Sequence, residues 1–546
     1  MKKGIAFVLI AVMALQLLTG CSLGKAPDSS EGGGENSGQG GTVLKIGAAA
    51  KGYGEEYIKQ LAAAYEEKTG VKTIIAKSSS DEAALRATLQ AGPKNNDIDV
   101  YFDIWPKAMS ALATVNYVEG YERIFTPLSD IYDEVPEGWG TDKTLEELVL
   151  PYSLKACTWG GEDAGYGDGN QYFVNFATGM EGLVYNVDLF DKYGLKVPKT
   201  TNEFLALLEQ MKTIENGTYA KNAEGFDVYP YVYSGKANYS NYLGVVWWAQ
   251  YDGVDIYNLA LEGKDANGNY TADSLKSVGK LSAMTIISKL LNQKSGYTDP
   301  TNYSQSFTNA QLKFLDGQAF MMSTGDWVER EMSANFEEGS LNIAFMRMPV
   351  NSDIIRQCDS VTTEEQLIET IAYIDGDTDA RPTYLSDADL KRVSEARSVY
   401  CSEGNQHLVY IPVYSDMIEE AKDFIRFMMS KEGQEIMIEY CYGNMSPLNV
   451  DVTQMKGYDG LSTLQKSKYE MLTSAIGLSF VGNSYVHPMA YAGGVESFYN
   501  QPTFETAFGV VETSASYMTP KEIWEADYKR MSNVWSNIMK TAGVAN

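Results

Sequence analysis

Aromatic rings set beside acidic side chains are the chemistry this 546-residue chain offers most plainly. Asp103 and Trp105 stand two apart, Asp326 and Trp327 are adjacent, and Tyr53 lies two residues after Lys51. Trp247 and Trp248 are neighbours, which turns their rings to different sides, one expected in the core and one along a groove. An indole or phenol buries a flat apolar face and keeps a hydrogen-bonding edge, and a carboxylate accepts O–H bonds. A sugar offers the complement, a C–H face and a rim of hydroxyls. The chain has 37 tyrosines and 8 tryptophans, many for so polar a sequence, although most tyrosines are expected to be half-buried packing.

Other chemistries have less to work with. The two histidines, His407 and His487, leave little room for a zinc site or a Ser/His catalytic set. Beyond Cys21, the cysteines Cys157, Cys358, Cys401 and Cys441 show no CxxC spacing. Free thiols are expected, because a chain this large does not need staples. Asp375, Asp377 and Asp379 alternate along a loop and could ligate calcium, as could the Asp265–Asn269 turn. A solvated acidic loop is the preferred reading of the first, and no cofactor is expected. The 72 acidic residues leave a hydrolytic carboxyl pair open.

The elements that would position these residues alternate in type. Residues 43–49 read as a strand, 55–69 as an amphipathic helix burying Tyr57, Ile58, Leu61 and Tyr65, and 71–75 as a second strand. A helix over 81–91 and a strand over 98–102 follow, the α/β pattern of a mainly parallel sheet. Ligands of such sheets sit beyond the carboxyl ends of the strands, which is where Lys51, Tyr53, Asp103 and Trp105 fall. Residues 183–186 read as a strand. Thr200 with Glu203, and Thr519 with Glu522, predict capping boxes that open two further helices.

The N-terminus predicts where the protein works. Lys2 and Lys3 precede an uncharged, mostly apolar run, Gly4 to Leu18, that ends in Leu18-Thr19-Gly20-Cys21. This is a lipoprotein signal over residues 1–20, with Cys21 as the lipidated mature N-terminus. Residues 22–41, rich in Gly, Ser and Asn, form a flexible linker. The chain is therefore expected on the extracellular face of the cell membrane, held by its lipid. A net charge of −28, spread along the chain, argues against nucleic acid and anionic membrane surfaces as partners.

Four segments, in order, resemble the extracellular solute-binding lipoproteins of ABC transporters, in the maltose-binding-protein-like group that captures oligosaccharides. They are Lys51-Gly52-Tyr53 with the helix ending Tyr65 to Lys72; Tyr185 to Phe190 with Pro198, Thr200 and Glu203; Gly317 to Trp327; and Ala421 to Gln434. The resemblance covers roughly residues 42–447. It implies an α/β, two-lobe periplasmic-binding-protein-like fold of type II, with a hinge and mixed, mainly parallel sheets flanked by helices. One lobe would take 42–180 and about 400–445, the other 181–350 and about 446–546. Residues 351–399 are an insertion assigned to neither. The implied function is capture of an oligosaccharide, cleft closure without chemistry, and delivery to a transmembrane permease, as a monomer. Trp327 would be the stacking platform, Asp326 a hydroxyl acceptor or a helix cap, and Lys51 a sugar contact. His487 and Tyr491 would supply a late aromatic contact. An anchored glycoside hydrolase and a peptide- or amino-acid-binding lipoprotein are the alternatives. The hydrolase would shorten its sugar, and the peptide binder would need a charge clamp.

Overall fold

A computed structural model describes residues 43–48, 52–79, 82–104, 108–112, 118–162, 164–337, 339–404, 407–441, 443–482, 487, 489 and 501–544. Cys21, the linker, Lys51, Trp105 and Tyr491 lie outside them.

Strand β1 (Val43–Ala48) leads to helix α1 (Glu56–Thr69), which buries Tyr57, Ile58, Leu61 and Tyr65 on one face. Gly70 ends this helix at φ 78°, a conformation open to a residue without a Cβ. Next come β2 (Lys72–Lys77), α2 (Glu82–Gln90) and β3 (Val100–Ile104). The third strand starts two residues later than its apolar pattern suggests. Asn96 explains the delay: its side-chain oxygen accepts from the Ile98 N–H and the Tyr101 hydroxyl and holds a turn there.

Helix α3 (Pro151–Cys157), strands β4 (Thr158–Gly161), β5 (Tyr166–Gln171), β6 (Val174–Asn175) and β7 (Glu181–Asn186), and helices α4 (Val187–Tyr193) and α5 (Thr201–Lys212) follow. At the start of α5, Thr200 accepts from the Glu203 N–H at 3.2 Å. Glu203 does not complete the expected box. Its carboxylate accepts from the Lys199 N–H at 2.7 Å, so the chain enters the helix one residue earlier in the bonding pattern.

The chain continues through β8 (Ala220–Lys221), β9 (Asp227–Val232), α6 (Asn241–Asp252), α7 (Val278–Leu291), α8 (Phe307–Leu315), β10 (Ala319–Gly325) and β11 (Ile343–Phe345). It ends with α9 (Glu364–Ile374), α10 (Asp387–Ser398), β12 (Val399–Cys401), β13 (His407–Tyr410), α11 (Ile418–Met429), α12 (Lys431–Tyr440), α13 (Thr463–Leu472), β14 (Ser479–Val481), α14 (Phe504–Phe508) and α15 (Pro520–Ala542). The Thr519–Glu522 capping box that opens α15 is complete.

These strands form two large sheets and an antiparallel ribbon of β4 with β5. The first has the order β2-β1-β3-β13-β6, with β1 parallel to β2 and β3, and β13 antiparallel to β3 and β6. The second has the order β14-β12-β7-β10-β9-β8, with β11 also pairing β7. Each sheet has its own apolar core, and the two cores make two lobes. Leu44, Phe102, Phe176 and Phe424 belong to the first. Leu183, Trp247, Met322 and Phe508 belong to the second. The described chain passes between the lobes along residues 176–181, near 401–404 and along 443–448, and the first and last of these passages are tied to one another. Thr178 N donates to Met445 O at 3.0 Å, and Asn444 Nδ2 to Phe176 O at 3.1 Å.

Residues 350–396 hold a third, small core of Val350, Ile354, Leu367, Ile371 and Val393. Arg392 and Arg397 fasten it to the second lobe by donating to Gln250 O and Met348 O. The candidate calcium loop serves this junction. Asp375 accepts from Arg397 Nε at 3.0 Å and Nη2 at 2.8 Å, and Lys199 pairs with Asp377 at 2.5 Å. Cationic side chains thus pair with two of the three candidate carboxylates, Asp375 and Asp377. In the other acidic turn, Asp265 accepts from the Asn267 and Asn269 N–H groups, which closes the loop on itself. Cys157, Cys358, Cys401 and Cys441 are free thiols.

Candidate functional site

The loop after β1 and the loop after β10 meet where the lobes join. Asp326 is wholly buried, and both of its carboxylate oxygens are occupied. Tyr53, from the first lobe, donates to Oδ1 at 2.8 Å. Lys468, from α13, donates to Oδ2 at 3.1 Å and also to Gly443 O. The Asp326 N–H donates to Met180 O at 3.0 Å, in the first passage between lobes. Burial raises the Asp326 carboxyl from its ordinary value, and the Lys468 charge opposes that rise. Burial, then the Asp326 and Glu181 carboxylates, hold the Tyr53 hydroxyl well above the usual phenol range. Asp326 is therefore a strut between lobes. It does not cap the next helix, whose N-cap is Trp327 without a side-chain bond.

Trp327 follows this strut and packs, half-buried, against both cores. Its position depends on two glycines. A Cβ on Gly325 would lie 2.3 Å from the indole ring, and one on Gly52 would lie 3.2 Å from Trp327 Cβ. Gly325 thus serves the ring by leaving room for it. Tyr239 and Tyr242 present their rings edge-on to the indole, at 6.3 Å and 6.4 Å between centroids, and stack on each other at 5.2 Å. This edge-to-face arrangement suits the ring quadrupoles.

Glu181, at the start of β7, and Glu403, in the second passage, adjoin the trio. After burial, these two acids are what hold the Tyr242 hydroxyl well above the usual phenol range. Sequence reasoning missed Tyr239, Tyr242, Glu181, Glu403 and Lys468. The spacing of Tyr239 and Tyr242, three apart just before and inside a helix, was the available signal. The other three come from segments far apart in sequence.

The remaining expected residues are placed elsewhere. Trp247 is in the core, with its Nε1 donating to Pro349 O at 3.0 Å. Trp248 is buried too and donates to Asp252 at 2.6 Å. Helix α6 is buried on all sides, so the adjacency of the two indoles puts neither along a groove. Asp103 is buried at the end of β3, facing Leu408 across the ladder. His487 is buried in a second aromatic group, edge-on to Tyr166 at 4.9 Å and 3.4 Å from the Tyr270 hydroxyl. Its Nδ1 accepts from the Met489 N–H at 3.2 Å, and burial lowers its pKa to about 4. This places His487 with Glu262, Lys155 and Lys264, and the ring stays neutral at physiological pH.

Residues 60–464 match the family model described as bacterial extracellular solute-binding protein. The chain belongs to this family. Its members bind solutes outside the cell and are not enzymes, in keeping with a site built of stacking rings and a spent carboxylate. No curated protein matches the sequence. Solved structures show the fold. One, from a study of xylan utilization by Caldanaerobius polysaccharolyticus, superposes with TM-score 0.57 at 15% identity, covering 90% of this chain and 100% of that one. A chitin oligosaccharide binding protein gives TM-score 0.54 at 16% identity, over 90% and 98% of the two chains. An ABC substrate-binding protein from Listeria monocytogenes in complex with cycloalternan gives 0.51 at 14%, over 92% and 99%. All share the two-lobe architecture with this solute-binding protein.

Proposed function

We propose that this solute-binding protein captures an oligosaccharide, closes its lobes on it without chemistry, and hands it to an ABC-transporter permease. The observation that carries the reading is the Trp327–Tyr239–Tyr242 trio at the junction of the lobes, with Trp327 touching both cores. A half-buried indole set there can stack on a sugar's C–H face while neighbouring hydroxyls and carboxyls meet its rim. The chitin oligosaccharide and cycloalternan named for two of the similar structures favour the same ligand class. A diacylglyceride on Cys21 would keep the protein beside its permease, with residues 22–41 as the tether.

A thermal-shift screen against xylo-, manno-, malto-, fructo- and milk-type oligosaccharides tests this. A ligand that binds the native state raises the melting temperature by mass action. At least one class should raise it, and the glycan should be recovered at its original mass after overnight incubation. No shift with any class, or a shortened glycan, would contradict the reading. Labelling of cells with radioactive palmitate should mark the full-length chain and spare Cys21→Ala.

A further inference from the structure

The acids beside the aromatic trio have no role in the strut that joins the lobes. Glu181 is wholly buried, and neither of its carboxyl oxygens has a hydrogen-bond partner of ordinary geometry. Burial raises its pKa well above the carboxylate range, and the Glu403 and Asp326 carboxylates add to the rise. Weak interactions with the Glu403 backbone and the Cys401 thiol offset part of it. Gly179 packs closely beside it: a Cβ there would lie 3.3 Å from Glu181 Oε1 and 3.2 Å from the His407 ring. A buried carboxyl with no hydrogen bond of ordinary geometry normally costs a protein stability, so its retention calls for a reason. A ligand hydroxyl supplies one, since a neutral carboxyl both donates and accepts.

Apart from the His407 ring beside Gly179, the charges that act on Glu181 are negative, those of Glu403 and Asp326. Glu181 in turn acts on the hydroxyls of Tyr53, Tyr239, Tyr242 and Tyr400. Lys468 is already committed to Asp326. Arg330 lies by Gly54 and acts on Glu56. An anionic group brought to this floor would be desolvated beside carboxylates, with no free cation among the described groups that face Glu181. We propose that the site admits uncharged glycans and rejects glycans bearing a uronate carboxylate, and that Glu181, with Glu403 beside it, sets this preference. The inference rests on the oligosaccharide reading above and gives it a substrate class. A site of this sign discriminates partly by repulsion, as selective sites often do.

Calorimetric titration of the full-length protein tests it with matched probes. Malto- and manno-hexaose would be compared with the same chains oxidised at C6 to uronates, and with the methyl esters of those uronates. Xylohexaose would be compared with its glucuronate-branched form and that form's ester. For whichever backbone binds, the uronate should be at least tenfold weaker than the neutral chain, and its ester should recover most of the loss. Glu181→Gln and Glu403→Gln should each narrow the gap between uronate and ester by threefold or more. Glu403 is half-exposed, so its variant carries the test if Glu181→Gln does not fold. A uronate that binds the parent as tightly as its ester would overturn the inference, as would a gap unchanged in the folded variants. If none of the three neutral backbones binds while a fructo- or milk-type glycan does, the oligosaccharide reading survives and the uronate comparison moves to that backbone. If no glycan binds at all, that reading falls and this inference with it.

Discussion

Asp326 and Lys468 form an ion pair with both side chains at 0% exposure. Taking two charges out of water is costly, and the pair persists because Tyr53 and Gly443 O satisfy the remaining valences. Removing one partner leaves the other buried and uncompensated. Asp326→Asn should therefore lose about 3–5 kcal/mol of stability in urea denaturation. The double variant Asp326→Leu with Lys468→Met should lose less than Asp326→Asn alone, because neither charge is then stranded. A single variant as stable as the parent would remove the strut from the account. At Gly325, Ala would place a Cβ 2.3 Å from the Trp327 ring, so Gly325→Ala should shift the tryptophan emission and weaken glycan binding at unchanged helix content. The sequence displayed Trp327, Asp326 and Tyr53 as a set through the pattern around each. It did not show the carboxylate's part in the strut, because its partner Lys468 lies 142 positions away, beyond any local pattern.

Helix α14 brings Glu505 to the start of α6, where its Oε1 accepts from the Ser240 N–H at 2.9 Å between Tyr239 and Tyr242. Burial pushes the Glu505 pKa up to about 7. An unfolded glutamate titrates near 4.3, so the native state holds a proton that the unfolded state has released between those values. The stability Glu505 contributes is thus complete at low pH and is lost as pH rises through about 7, by an amount on the order of 3 kcal/mol. His487 acts in the other direction. Its pKa is lowered to about 4, so stability is lost as pH falls from about 6.5 towards that value. Denaturation midpoints of Glu505→Gln should vary less than the parent's between pH 5 and 8, with the largest relative gain at pH 8. Parallel curves for the two proteins would contradict this assignment. The helices that bury one periodic face, such as α1 and α15, were readable from sequence, as were their caps. Helix α6 was not, because it is buried on all sides and has no polar face to break the pattern, so the fate of Trp247 and Trp248 could not be read either.

The two lobes owe their separateness to chain order. β6 and β7 lie six residues apart yet belong to different sheets, as do β12 and β13. Local periodicity supplied β1, β2, β3 and β7, but only long-range pairing decides which sheet each enters, and the family motifs were what pointed to two lobes. Tyr53 is the described side chain that bonds across the junction to Asp326, so Tyr53→Phe should loosen the tie between the lobes and weaken glycan binding by about threefold to tenfold, the size of one net hydrogen bond. The most direct test of the whole account is the affinity of Trp327→Ala, by calorimetric titration, for the glycan that most stabilises the parent. If the lobes grip that glycan on the Trp327 indole, the variant should bind at least tenfold more weakly, with the melting temperature of the unliganded protein little changed. Equal affinity in parent and variant would show that the sugar is held elsewhere.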